Sequence, residues 1–222
     1  MDVLIDNRAA YLEGFVVTLW LLLVAGAIAG VLGTTLAAMR VSPVTLVRGV
    51  GTSYVNVVRN TPLLLVLFLF RDAFPKLGFN YSINNYFDFF FIAATTGLGL
   101  YAAAFVCEAL RSGINSIPLG QAEASRAIGM TFGQSMRHVI MPQAVRAVVP
   151  PLASTYISLA KNTSVAIGIG VTDASFQMKK LINDNAADQW AIFAGFAAGY
   201  VAIVWTIALL ARIIERRTRV AR

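Results

Sequence analysis

Long apolar stretches without charged residues dominate the pattern of this chain. Three of them contain no charge at all: Phe15–Met39, Phe89–Cys107 and Trp190–Ala211. A helix needs roughly 20 residues to cross the hydrocarbon core of a bilayer, because each residue adds about 1.5 Å along its axis. The three stretches therefore predict three transmembrane helices. Asp2 and Asp6 stand where a signal peptide carries positive charge, so we expect the first of these helices to be retained.

Two further apolar stretches are each interrupted by one basic residue. Arg59 interrupts Gly49–Phe70, and Lys161 interrupts Ala147–Thr172. We interpret both as membrane-spanning, which makes the fold class all-α: a polytopic membrane protein of about five transmembrane helices in one domain, residues 1–222. The predicted spans are 14–39, 50–70, 89–109, 147–171 and 190–212.

Charged residues are distributed unequally between the two sides of these spans. Eleven of the 18 basic residues lie on one side against two acidic ones, whereas the other side carries five basic and eight acidic residues. Basic loops stay in the cytoplasm. The distribution predicts an N-terminus outside and a C-terminus inside.

Composition supports a membrane protein and excludes several other classes. The chain is 58% hydrophobic and 13% charged, with a mean hydropathy of +0.70, against about 45–50% and 25% in soluble domains. The net charge of +7 reflects membrane orientation and lipid contact, and we expect no nucleic-acid partner. One cysteine, Cys107, excludes an internal disulfide, and one histidine, His138, leaves no basis for a metal site or a catalytic set. We therefore predict neither catalytic residues nor a metal.

The longest predicted cytoplasmic loop, residues 111–146, has the pattern of two short helices. Pro118 favours the start of a helix over Leu119–Ile128, and Gly129 suits the left-handed position that ends it. Thr131 and Gln134 have capping-box spacing at the start of a second helix. The apolar residues of that helix share one face: Phe132, Met136, Val139 and Ile140. Pro142 is expected to limit its continuation. The pattern leaves two roles open, resting on the membrane surface or docking to a cytoplasmic partner.

The same loop carries a longer motif. The motif resembles the EAA loop of bacterial ABC-importer permeases. It begins with Glu123-Ala124-Ser125, continues after three residues with Gly129, and ends after nine more with Val139-x-Met141-Pro142. The family pattern has Ala, Ile and Leu at the positions of Ser125, Val139 and Met141. Flanking segments are similar to the polar amino acid subfamily, and the resemblance covers about residues 14 to 214. These segments are Arg59-Asn60-Thr61-Pro62-Leu63-Leu64, Glu108-x-x-Arg111, Ser116-Ile117-x-x-Gly120-Gln121 and Lys161-Asn162-Thr163-Ser164.

The resemblance implies a type I importer permease in the bacterial cell (inner) membrane. Its loop would be a coupling helix seated in a groove of a cytoplasmic ATPase dimer, which binds the ATP and Mg that this chain does not. The chain would be a transport subunit without a cofactor or enzymatic activity, paired with a second, identical or homologous permease. An extracytoplasmic binding protein would deliver substrate to the outer loops, Arg71–Asp88 and Asp173–Asp188. The implied ATPase-coupling residues are Glu123, Ala124, Ser125, Gly129, Phe132, Met136 and Pro142.

The two interrupted spans supply the candidate substrate pathway. A guanidinium or ammonium beside amide and hydroxyl groups suits the carboxylate of an amino acid, and Arg59 and Lys161 are expected near mid-membrane. Pro62, Gly168 and Gly170 would permit the bent helices that a midplane site needs. Either cation could instead reach the lipid headgroups, cap a broken helix, or pair with Glu108, which is itself expected to pair with Arg111. The candidate residues are Arg59, Asn60, Thr61, Lys161, Asn162 and Thr163.

The expected function is import of polar amino acids, with glutamate or glutamine as candidates. The alternatives are a permease for another small solute and an ion channel. An ion channel would conduct without ATP, whereas an ABC permease shows no flux without its ATPase. The chain itself has no Gly-x-x-x-x-Gly-Lys phosphate loop.

Overall fold

The computed structural model describes residues 2–78 and 89–218, and every regular element in these two ranges is helical. The Arg71–Asp88 loop lies in part outside them, as do the basic residues of the tail beyond 218. The helices are α1 (Asp2–Asp6), α2 (Arg8–Arg40), α3 (Thr45–Arg59), α4 (Leu63–Lys76), α5 (Phe89–Asn115), α6 (Leu119–Ala127), α7 (Phe132–Ser135), α8 (Met141–Asn162), α9 (Ala174–Asp184) and α10 (Gln189–Thr218), with a π-helical turn at Met136–Ile140 and 3₁₀ turns at Thr163–Ile169 and Ala186–Asp188.

Helices α2 and α5 form the centre of the bundle, and small residues bring their backbones close together. A Cβ atom at Gly33 would lie 2.6 Å from the Val106 Cβ, and one at Gly99 would lie 2.7 Å from the Ile28 Cβ. Among lipid chains, helix association depends on close van der Waals packing rather than on exclusion of water. Larger side chains at these two glycines would force the helices apart.

Within the described ranges, three helices are long and apolar enough to cross a membrane: Arg8–Arg40, Phe89–Asn115 and Ala186–Arg216. They correspond to the three charge-free stretches. The predicted span 50–70 is two helices, α3 and α4, bent by 106°. Asn60 and Thr61 donate side-chain hydrogen bonds to the carbonyls of Asn56 and Val57, and Pro62 begins the next turn. The bend expected at this proline is therefore confirmed.

The predicted fourth span, 147–171, consists of the end of α8 and the 3₁₀ turn Thr163–Ile169, which Gly170 ends at a φ of 101°. This segment is not among the described helices that are long and apolar enough to cross a membrane. There are three of these, or four if α3 and α4 together form one broken span. The count of five spans and the orientation of the chain stay predictions.

The prediction that Pro142 limits the second loop helix is wrong. The helical backbone runs without interruption from Phe132 to Asn162, because a π-helical turn at Met136–Ile140 shifts the hydrogen-bond ladder by one residue. Across that turn the Met141 N–H donates to the Met136 carbonyl. Pro142, which has no N–H to donate, follows this π turn directly, where the hydrogen-bond ladder is already shifted.

Candidate translocation and coupling sites

The loop helices α6 and α7 form a small folded unit. Gly129 ends α6 at a φ of 85°, and Thr131 and Gln134 make the predicted capping box at the start of α7. The hydroxyl oxygens of Ser125 and Ser135 lie 2.7 Å apart and both side chains are buried. The serine that replaces the family's alanine therefore joins α6 to α7.

The outer surface of this unit is exposed and partly apolar. Leu119, Ile128 and Phe132 are exposed at 82%, 77% and 77%. Of the predicted coupling residues, Ser125 is buried and Met136 is half-buried, and the others are exposed: Glu123, Ala124, Gly129, Phe132 and Pro142. A cluster of exposed apolar side chains rimmed by polar ones is typical of a protein-binding surface.

A cluster of one carboxylate and three guanidinium groups lies where α2, α3 and α5 meet. Glu108 accepts a hydrogen bond from Arg40, and its Oε1 lies 3.8 Å from the Arg59 Nη1 and 3.9 Å from the Arg111 Nη1. The expected Arg111 pair is thus present but distant, and the alternative in which Arg59 pairs with Glu108 is found. Sequence reasoning missed Arg40, because 68 residues separate it from Glu108. The cluster carries more positive than negative charge.

Arg59 also connects this charged cluster to a cavity. Its guanidinium carbon lies 5.8 Å from the centre of the Phe105 ring, a distance typical of a cation–π contact. Phe105 lines a cavity of about 400 Å³ between α5 and α8. Rather than standing alone in the membrane, Arg59 stands among an acid, two other arginines and an aromatic ring.

The cavity has an aromatic wall and a polar wall. Tyr101 and Phe105 come from α5, and a row of hydroxyl and amide groups comes from α8: Ser154, Thr155, Ser158 and Asn162. Positions 154, 158 and 162 are four residues apart and so share one helix face. Sequence reasoning missed the three hydroxyl residues, although polar residues at this spacing in an otherwise apolar stretch could have indicated them.

The remaining predicted pathway residues lie away from this cavity. Lys161 is exposed, and Thr163 is fully buried with its hydroxyl donating to the Ala160 carbonyl. Asn60 and Thr61 donate to the end of α3. Of the six residues, Asn162 lines the cavity and Arg59 borders it.

At the opposite end of the bundle a buried carboxylate begins α9. Asp173 is fully buried and accepts hydrogen bonds from the Phe176 N–H at 3.0 Å and the Tyr200 hydroxyl at 3.3 Å. The Ala174 N–H donates to the Thr18 hydroxyl at 3.1 Å. Burial raises the pKa of Asp173 to about 6, although the hydrogen bonds to it act in the other direction. The predicted outer loop Asp173–Asp188 is thus anchored to α2 and α10.

Comparisons with known proteins agree along nearly the full length. The family described as "Binding-protein-dependent transport system inner membrane component" matches residues 17–220. The glutamate transport system permease protein GluC of Corynebacterium glutamicum is 43% identical over 217 residues, covering 95% of each chain. The glutamate/aspartate import permease protein GltJ of Escherichia coli is 36% identical, covering 93% of this chain and 86% of the relative.

Solved structures share the fold. A chain from the "Crystal structure of an amino acid ABC transporter with histidines" superposes with a TM-score of 0.83 at 30% identity, covering 96% of both chains. A chain of the MetNI methionine ABC transporter, in an inward-facing conformation, gives a TM-score of 0.72 at 20% identity. At that identity the second likeness concerns the fold alone.

Proposed function

The chain belongs to the family of inner membrane components of binding-protein-dependent transport systems, and from this premise we propose that it imports acidic amino acids or their amides. It is an ABC importer permease of the amino acid type, located in the cell membrane, and its relatives are transport subunits rather than enzymes. Glutamate and glutamine are the proposed substrates, and the two relatives named above are a glutamate and a glutamate/aspartate permease.

The observation that carries this proposal is the cavity between α5 and α8 beside the arginine cluster. Its hydroxyl and amide groups can hydrogen-bond the ammonium and the carboxylate that every amino acid carries. Arg59 borders it and belongs to a cluster in which three arginines surround one carboxylate, that of Glu108, so the net charge is positive. Excess positive charge at a partly dehydrated cavity favours a substrate with an additional carboxylate.

We keep Arg59 and Asn162 as substrate-pathway residues on this basis. Asn60, Thr61 and Thr163 are proposed to shape the helix breaks next to the cavity, because their side chains bond to their own helices. Lys161, exposed at the end of α8, is proposed to line the pathway on the side that a second permease subunit closes.

We further propose that α6 and α7 dock into a groove of a separate ATPase subunit, which binds ATP and Mg. Supporting this are the exposed apolar side chains Leu119, Ile128 and Phe132, the exposed Glu123, and the left-handed turn at Gly129. Ser125 supports the docking surface from within. The extracytoplasmic binding protein is proposed to dock at the opposite end, where α9 carries the exposed Lys179 and Lys180.

The experiment is uptake into proteoliposomes that contain the complete complex with its ATPase and binding protein. ATP-dependent accumulation of labelled glutamate or glutamine is expected, and conductance without ATP would instead indicate a channel. Arg59→Gln should lower the ratio of glutamate to glutamine uptake several-fold, because the charge that distinguishes the two substrates is removed. Ser164→Ala is a control for substitution near this region, since its hydroxyl donates to the Lys161 main-chain carbonyl outside the cavity. An unchanged ratio would return Arg59 to a purely structural role.

The same preparation tests the coupling surface. Glu123→Ala and Gly129→Val should abolish ATP-driven uptake while the permease remains in the membrane, the second because valine is strained at a φ of 85°. Normal uptake by both variants would contradict docking through this loop.

A further inference from the structure

A second cavity lies between α2, α8 and α10, on a different face of α8 from the proposed substrate cavity. Its volume is about 510 Å³, within the roughly 300–1,000 Å³ of small-ligand sites. Apart from Tyr156, the residues that line it are leucine, isoleucine, valine, alanine and glycine. It is an apolar groove and offers nothing to an amino acid.

The one polar group of the groove is already bonded. The Tyr156 hydroxyl donates to the Gly26 carbonyl at 3.1 Å. The ring of Tyr156 covers Gly26 so closely that a Cβ there would lie 3.1 Å from its Cε1. The groove therefore presents the face of the ring and aliphatic side chains, which suits a hydrocarbon chain.

Two of the helices around the groove are membrane-span candidates, and one of them is little covered by the rest of the chain. Helices α2 and α10 meet the criteria for membrane spans, and only 11% of the most apolar stretch of α10 is buried within this chain, against 61% for α5. In a membrane, a face of α10 that no other subunit covers contacts hydrocarbon, so acyl chains can reach the groove from this side.

Positive charge lies at one end of the groove. Arg146 precedes the lining residue Val149 by three positions on α8, so it lies on the same helix face one turn further towards the cytoplasmic loop. Its side chain is half-buried, and the exposed Arg212 lies on α10 next to the lining residue Ala211. Guanidinium groups match the geometry and charge of a phosphate.

We propose that this groove binds one acyl chain of an anionic phospholipid, with the phosphate of the headgroup beside Arg146. A methylene group that leaves water gains the free energy of apolar burial, but a chain that leaves lipid gains only packing. The headgroup contact therefore provides the selectivity. The site is independent of the substrate cavity and of amino acid specificity.

The test is photolabelling of the assembled permease–ATPase complex in nanodiscs that contain phosphatidylglycerol with a diazirine in its acyl chain. Label is expected on the peptides around Val149 and Leu210. Ala211→Phe should lower that labelling at least threefold by filling the groove. Ala202→Phe, at an exposed position on the opposite face of α10, should leave the labelling unchanged. If Ala211→Phe does not assemble, Ala27→Phe fills the groove from α2 instead.

A second arm separates headgroup from chain. Arg146→Gln should reduce labelling by phosphatidylglycerol to the level of phosphatidylcholine with the same chain, whereas Ala211→Phe should reduce both. Equal labelling of both faces of α10 would overturn the proposal. So would disulfide cross-linking of two permease copies through Ala27→Cys, because the groove would then be a protein interface.

Discussion

Two carboxylates, Glu108 and Asp173, each connect helices of the bundle, and their surroundings differ completely. Glu108 stands among three guanidinium groups from α2, α3 and α5. Asp173 is more deeply buried, and its described partners are N–H and hydroxyl groups of α9 and α10. A carboxylate among guanidinium groups offsets their mutual repulsion, whereas one compensated by neutral donors alone can gain a proton under mildly acidic conditions. The two ends of the molecule should therefore respond to different perturbations.

The largest effect is expected from removing the charge of Glu108. Glu108→Gln leaves Arg40, with a side chain only 10% exposed, facing two other cations without an acid. Breaking a buried ion pair in this way costs about 3–5 kcal/mol, and the partial exposure of Glu108 places the effect near the lower limit. Thermal unfolding of the purified complex measures it. Glu108→Asp, which keeps the charge, should lose less, and equal melting temperatures for wild type and Glu108→Gln would contradict the role of the cluster.

The second effect is a pH dependence that comes from Asp173. Its pKa is about 6 in the folded protein and about 3.9 in an unfolded chain. The folded state therefore binds the proton more tightly, so Asp173 contributes most stability below about pH 4 and progressively less as the pH rises to about 6. A difference of two pKa units between the folded and unfolded states changes the free energy of unfolding by about 3 kcal/mol over this pH range.

Asp173→Asn should remove this dependence. The amide oxygen can still accept from the Phe176 N–H, and its NH₂ can donate to the Tyr200 hydroxyl, so the neutral side chain reproduces the protonated acid. Melting temperatures of both proteins between pH 4 and 8 provide the measurement. Parallel curves across that range would show that Asp173 does not titrate as its burial indicates.

The smallest effect is expected at Arg111. Its Nη1 lies 3.9 Å from the Glu108 Oε1 on the same helix, and partly exposed pairs of this kind contribute about 0–1 kcal/mol. Arg111→Gln should change the melting temperature far less than Arg40→Gln. Equal decreases in melting temperature for the two variants would mean that the Arg111–Glu108 pair stabilises the protein as much as the closer Arg40–Glu108 pair.

The sequence predicted those features that depend on neighbouring residues. The apolar stretches became helices, Gly129 took the left-handed conformation, Thr131 and Gln134 formed their capping box, and the chain bent at Pro62. Each follows from spacing within a few positions. The same local reasoning failed at Pro142, because the π turn that precedes it shifts the hydrogen-bond ladder and no residue type marks such a turn.

The features that sequence reasoning missed depend on distant contacts. Arg40 meets Glu108 only because α2 and α5 pack together through small residues, and Asp173 becomes buried only because α10 returns to cover it. The cavity combines α5 aromatics with α8 hydroxyls. Periodicity alone could have identified the hydroxyl row, but not the wall that faces it.

The unbroken helix from Phe132 to Asn162 gives the molecule a mechanical property. At about 1.5 Å per residue it spans about 45 Å, with an exposed phenylalanine of the coupling loop at one end and a cavity-lining asparagine at the other. No loop separates these two ends, and the helix can bend at the π turn and at Pro150 and Pro151 inside α8. A tilt of one degree about one end would displace the other by about 0.8 Å over that length. The helix therefore connects the proposed coupling surface to the cavity without an intervening loop, and the π turn and the two prolines are the points at which it would absorb part of a displacement.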